Sequence, residues 1–265
     1  MSDYRKRLKD YKKIVVKVGT STVAYPNGRI NLKRLEQLAW VLADLKNQGK
    51  DVTLVSSGAM GVGATALGLK ERPKEIRLKQ AAAAVGQASL IQIYKNFFNE
   101  YNQRVAQVLL TKEDVKEGER RKVVANTFET ILAMDIIPIV NNNDAVTTYE
   151  FEFSDNDSLS AVVAGIVEAE LLIILTDIDA LYDSNPRQNP NAKRISVVEE
   201  VTEEVENMAG DKGSEFSVGG METKISAAKT CKESKTDMVV ADGSDPKILH
   251  RIIDGDDVGT LFVSR

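Results

Sequence analysis

Ile14-Val15-Val16-Lys17-Val18-Gly19-Thr20-Ser21 joins a β-branched run to a glycine-hydroxyl turn, and the same arrangement returns along the chain. Val52 to Val55 leads into Ser56-Ser57-Gly58-Ala59, Ile136 to Val140 into Asn141-Asn142-Asn143-Asp144, and Leu171 to Leu175 into Thr176-Asp177. Val105 to Leu110 and Met238 to Ala241 are two further aliphatic runs. Short continuous runs of this kind read as strands buried on both faces. Between the first two, Leu35, Leu38, Ala39, Leu42 and Leu45 form one helical face, with Asn31 as N-cap and Gly49 past the end. Leu159, Val162, Val163, Ile166 and Val167 repeat that spacing directly after Asp155, Asn156 and Asp157, which puts an acidic cluster at a helix start. Strand and helix in alternation predict an α/β fold, a three-layer α/β/α sandwich with a largely parallel central sheet. Ligands of such sheets bind beyond the carboxyl ends of the strands, so the four polar clusters are expected to converge on one site. Ordinary turn chemistry is the competing explanation.

Ile76 to Tyr101, with Ala81 to Ala84 and a Phe97-Phe98 end, reads as a helix apolar on more than one side, either a core helix or part of a subunit interface. No repeat or linker is visible, although Asp183 to Arg194 is rich in turn residues. The chain is therefore expected to form one domain with two lobes, about 1–165 and about 166–265.

With 39 acidic and 35 basic residues, the formal net charge of −4 argues against a nucleic-acid partner. The single cysteine, Cys231, and single histidine, His250, exclude an internal disulfide, an all-cysteine zinc site and the histidine-dependent triads. They read as a packing and a surface residue. Met1 to Lys13 has no apolar signal core, and the apolar runs are too short to cross a bilayer, so a cytoplasmic location and no membrane partner are expected.

The chemistry then falls to lysine, aspartate, asparagine, serine and glycine backbone. Ser57 to Gly63 reads as a glycine-rich turn entering a helix, which offers backbone N–H groups to an anion, or alternatively as glycines used for close helix packing. Gly61 to Ala66 also matches GxGxxA, but the glycines start too far from the strand for a dinucleotide turn. The Walker A spacing is absent. Lys17 ends an apolar strand, where an ammonium needs an anion unless it snorkels from a sheet edge. Lys224 opens an alanine-rich helix after Gly219-Gly220-Met221-Glu222-Thr223, where a cation opposes the helix dipole unless an anion is near. A solvated surface lysine is the alternative. Asp157, Asp144 and Asn156 each have an ordinary explanation as cap, dipole or turn residues.

In order, Val15 to Ser21, Ser56 to Ala59, Asn141 to Val146, Asp155 to Ala161, Thr176-Asp177, Leu181-Tyr182, Asn185-Pro186-Arg187 and Gly219 to Lys224 resemble the amino acid kinase family, over about Ile14 to Phe262. The resemblance implies a carbamate kinase-like fold. It implies ATP- and Mg2+-dependent phosphorylation of the γ-carboxylate of L-glutamate to L-glutamyl 5-phosphate, the first step of proline biosynthesis. Lys17 and Lys224 would hold ATP phosphates and offset the moving charge, and Asp157 would orient both. Ser57, Gly58, Ala59, Asn141, Asp144 and Asn156 would bind glutamate, Asp144 facing its α-ammonium. Thr176, Asp177 and Val218, Gly219, Gly220, Met221, Glu222, Thr223 and Lys224 would line the nucleotide site, with Lys17. Magnesium would be held mainly by ATP phosphates, with no protein metal site. The first lobe would take the acid and the second the nucleotide. Proline is implied as a feedback inhibitor, and a homo-oligomer, dimer or tetramer, is expected.

Two departures stand out. Asn142 occupies a position where the family commonly has Glu, which removes a negative charge near the ammonium site and bears on substrate affinity. The chain also stops at Arg265, so no activity of the C-terminal RNA-binding-like (PUA-type) module found in many members is expected. Competing activities are phosphorylation of N-acetylglutamate, aspartate or carbamate, a binding module without turnover, and nicotinamide binding through Gly61 to Ala66.

Overall fold

The computed structural model describes residues 3–69, 71, 73–147, 155–184, 186, 189–209 and 220–264. The chain runs through α1 (Asp3–Lys6), a 3-10 turn, β1 (Lys13–Val18), α2 (Thr20–Val23), α3 (Leu32–Asn47), β2 (Asp51–Ser56), α4 (Ala59–Ala66), α5 (Ile76–Glu100) and β3 (Arg104–Leu110). It continues through α6 (Glu119–Ala133), β4 (Ile136–Asn142), α7 (Asn156–Ile166), β5 (Leu171–Thr176), β6 (Val197–Val198), α8 (Glu203–Ala209), α9 (Met221–Glu233), β7 (Asp237–Asp242), α10 (Ile248–Ile253) and β8 (Thr260–Phe262). Asn31 caps α3 by accepting from the Arg34 N–H, and Gly49 follows in the left-handed region at φ 82°.

Among the described residues one sheet has the order β3-β4-β2-β1-β5-β7-β8-β6. All pairs are parallel except β7 with β8. Ile14, Val16 and Val18 pack with α3, α5 and α10 on one face, while Val15 packs with α6, α7 and α9 on the other. This is the three-layer sandwich expected from the strand and helix pattern. β4, β2, β1 and β5 are successive neighbours, so the polar clusters that follow them emerge side by side at one sheet edge.

α5 is the alanine-rich helix expected from Ile76 onward. Its buried residues, Ala82, Ala83, Gly86, Leu90, Tyr94 and Phe98, lie on one side, whereas Leu78 and Val85 are exposed. One face joins the core, and apolar side chains remain on the other, as the sequence pattern implies. α4 crosses it at Gly63 and Gly86, where an added Cβ would run into the backbone carbonyls of Ala82 and Ala59 respectively. Gly63 therefore serves helix packing, not an anion cradle. Gly86→Ala should push the helices apart and cost about 1–3 kcal/mol, the range for overpacking, read as a lowered denaturation midpoint.

Candidate active site

Lys17 lies in β1, flanked by Val55 of β2 and Ile174 of β5. A central strand excludes snorkelling from a sheet edge. An ammonium in that layer is costly unless paired, and the partner is Asp157, whose Oδ1 is 2.6 Å from Lys17 Nζ. At that distance the two groups form a close ion pair. Asp157 stands in the first turn of α7, but Asp155 supplies the cap by accepting from the Ser158 N–H at 2.8 Å. With capping assigned to Asp155, the Asp157 carboxylate is available to the lysines.

Its second oxygen takes Lys224. The Lys224 side chain is only 1% exposed, and its Nζ donates to Asp157 Oδ2 at 3.2 Å. The solvated surface lysine is thereby excluded. Thr223 Oγ1 lies 2.8 Å from the same oxygen and 2.8 Å from the Gly220 carbonyl. Burial pushes the Asp157 carboxyl up, but Lys17 and Lys224 outweigh it and hold it below the usual carboxylate range. Burial also lowers the Lys224 ammonium, an effect that Asp157 only partly offsets. Two cations from distant parts of the sequence thus share one carboxylate, close enough to meet a single phosphate chain.

Beside this cluster runs a chain of amides. Asn156 Nδ2 donates to Ser57 Oγ at 2.8 Å, to the Ser56 carbonyl at 3.1 Å and to Asn141 Oδ1 at 3.1 Å. Because Ser57 Oγ accepts from Asn156, its own proton is free to be donated elsewhere. Asn141 in turn donates to Gln87 Oε1 of α5 at 2.9 Å. Asn142 Nδ2 donates to Asp144 Oδ1 at 2.6 Å, and its Oδ1 is buried without a partner. Asn142, Asp144, Ala59 and Gln87 line a cavity of about 280 Å3. Gly58 caps α4 at φ 98° with no side-chain cap, which leaves the first N–H groups of that helix uncapped. The Gly61 to Ala66 motif lies inside α4, not in a strand-to-helix turn, so a dinucleotide fingerprint has no geometric basis.

Thr176 ends β5, its hydroxyl 3.1 Å from Asp177 Oδ1, and Asp177 adds a field that favours the charged form of Lys224. Gly220 caps α9, Met221 packs against the core, and Glu222 is exposed. Val218 and Gly219, with Asn185 and Arg187, lie outside the described residues. Gln87 is the residue that the sequence reading missed; its signal is a glutamine beside Gly86 in an alanine-rich helix. His250, read as a surface residue, pairs through Nε2 with Asp44 at 2.9 Å and stacks edge-on against Trp40. Cys231 is fully buried, and burial pushes its thiol up to about 12, a packing residue. Among the described residues no helix is long and apolar enough to cross a membrane.

Comparison with known proteins gives a consistent answer. The chain is 54% identical to the glutamate 5-kinase of Clostridium perfringens, covering 98% of both chains, and 49% identical to that of Enterococcus faecalis, covering 98% of this chain and 97% of the relative. Among solved structures, the isopentenyl phosphate kinase of T. acidophilum superposes with a TM-score of 0.65 at 16% identity, over 95% of this chain and 100% of the other. UMP kinase from Ureaplasma parvum gives 0.65 at 17%, over 96% and 99%. These two share the fold. The sequence model described as the amino acid kinase family matches residues 12–242, nearly the whole sheet with the lysine pair and its carboxylate, and the protein belongs to that family.

Proposed function

We propose that the protein transfers the γ-phosphoryl group of ATP to the γ-carboxylate of L-glutamate, giving L-glutamyl 5-phosphate and ADP, the opening step of proline biosynthesis. The observation that carries the reaction type is the buried Lys17-Asp157-Lys224 cluster. The glutamate 5-kinase relatives support the choice of acid.

A carboxylate oxygen of the acid attacks the γ-phosphorus, a new P–O bond forms, and the bond to the bridging oxygen breaks with its electron pair leaving on ADP. The attacking group is already ionised at neutral pH, so no general base is needed, and catalysis reduces to positioning and charge neutralisation. Lys17 and Lys224 hold the phosphates and offset charge on the moving group, while Asp157 fixes their geometry. The N–H groups of Gly58 and Ala59 and the free Ser57 proton face the acid or the phosphoryl group. Asp144 takes the α-ammonium, with Asn141 and Asn156 beside it. Thr176, Asp177 and the segment from Val218 to Lys224 line the nucleotide, about 1–165 forming the acid lobe and about 166–265 the nucleotide lobe. Magnesium is assigned to phosphate oxygens of ATP. In support, Asp157 is already engaged by two ammonium groups.

Incubation with Mg-ATP, hydroxylamine and each acid separates the candidates, because hydroxylamine traps acyl phosphates. Glutamate is expected to give the highest kcat/KM among glutamate, N-acetylglutamate, aspartate and carbamate, since Asp144 calls for a free amino group. Equal or greater signal from N-acetylglutamate would defeat the assignment. Inhibition by proline and assembly into a homo-dimer or tetramer rest on the family resemblance; a proline titration of the reaction and sedimentation measure them.

A further inference from the structure

Gln87 reaches the amide chain from α5, and a backbone group fixes which of its ends faces where. The Asn142 backbone N–H is an unambiguous donor, and it points at Asn141 Oδ1 at 2.9 Å. The other end of Asn141 is therefore its NH2, which donates to Gln87 Oε1 at 2.9 Å. What remains of Gln87 is an NH2 group with two donors. The cavity that Gln87 lines lies between α5 and the ends of β3 and β4, and Asn142, Asp144 and Gln107 share it. Its other lining residues are alanines and Leu109, with no lysine or arginine among the described residues. One cavity thus holds a carboxylate acceptor and a neutral double donor.

The geometry points to Gln87 as the residue that receives the α-carboxylate of the substrate, while Asp144 takes the α-ammonium. The inference rests on the acid-kinase reading above. An α-amino acid head is a cation and an anion on one carbon, and it needs an acceptor and a donor within a small space. A cavity of about 280 Å3 is at the small end of ligand pockets and suits a metabolite of this size. Amide N–H groups give a carboxylate charge-assisted hydrogen bonds without adding a formal charge. The positive charge of the site then stays at Lys17 and Lys224, where phosphoryl charge develops, instead of competing from the far end of the substrate.

The test compares glutamate with isoglutamine, its α-carboxamide, by hydroxylamine trapping in the wild type, Gln87→Ala and Gln87→Glu. Gln87→Ala should raise the KM for glutamate about tenfold, the scale of one hydrogen bond to a charged group, and leave the KM for ATP unchanged. It should also narrow the preference for glutamate over isoglutamine. Gln87→Glu places a carboxylate where it repels the α-carboxylate but accepts an N–H from the carboxamide. The ratio of kcat/KM for glutamate to that for isoglutamine should fall about 100-fold relative to wild type, two such hydrogen-bond steps. Equal losses on both compounds in the two variants, with wild-type turnover of glutamate intact, would show that Gln87 only holds Asn141 and overturn the assignment alone. A wild type that forms no acyl phosphate from glutamate removes the substrate reading and this inference together.

Discussion

Asp157→Asn is expected to lower kcat at least about 10³-fold, more than the loss of one positioned charge stabiliser, because both lysines lose their shared anchor. The amide can still accept from Thr223 Oγ1, but it leaves Lys17 and Lys224 as like charges in a buried space. Removing one partner of a buried ion pair typically costs about 3–5 kcal/mol. Glutamyl hydroxamate formation reads the first effect and urea denaturation the second. The pH dependence supplies an independent check. The Asp157 carboxyl titrates below its ordinary range in the folded protein. Its contribution to stability is therefore present above the unfolded pKa and lost as pH falls through the folded one. The stability gap between wild type and Asp157→Asn should accordingly shrink on acidification below the ordinary carboxylate range. A gap that stays constant down to strongly acidic pH would mean that Asp157 is not the ionised partner of the lysines.

The parts of the molecule legible in the sequence are those where one physical signal dominates. β1, β2, β4, β5 and β7 are covered by helices on both faces, so they appear as mainly aliphatic runs. β6 and β8 have two and three residues, too few to set a period, and pass unseen. The polar clusters were visible because they interrupt apolar runs. Their convergence depends on the order β4-β2-β1-β5, which no local pattern encodes. Lys224 could be buried or solvated as far as its own helix was concerned; the carboxylate that decides it is 67 residues away. Gly63 reads first as part of an anion cradle in its local sequence, and only the crossing of α4 by α5 at Gly86 makes it a packing contact. Gln87 escaped for the same reason as Lys224, since its partner Asn141 is 54 residues distant. Long-range partners, and not residue type, separate a chemical role from a structural one at these positions.

Lys224→Ala should lower kcat by about 10²- to 10³-fold with a smaller change in the KM for glutamate, the signature of a group that stabilises charge mainly in the transition state. The truncation also opens space at a fully buried side chain. Lys224→Met fills that space without the charge, so a similar kcat in both variants assigns the loss to the ammonium and not to packing. Burial lowers the pKa of this lysine from its ordinary value. The alkaline limb of the wild-type kcat/KM profile should therefore begin below the range in which a solvated lysine titrates. It should shift upward in kcat, because bound phosphate charge favours the protonated form. The linked stability rises with pH, as it does for the depressed Asp157 carboxyl, but here because a cost is removed and not because a gain is added. A lysine whose folded pKa is depressed costs stability below that pKa, and the cost is relieved as pH rises between the folded and unfolded values. Unchanged turnover in Lys224→Met would remove this residue from the mechanism. It would leave Lys17 alone to meet the migrating phosphoryl group, a geometry in which Asp157 would have no reason to stand between two cations.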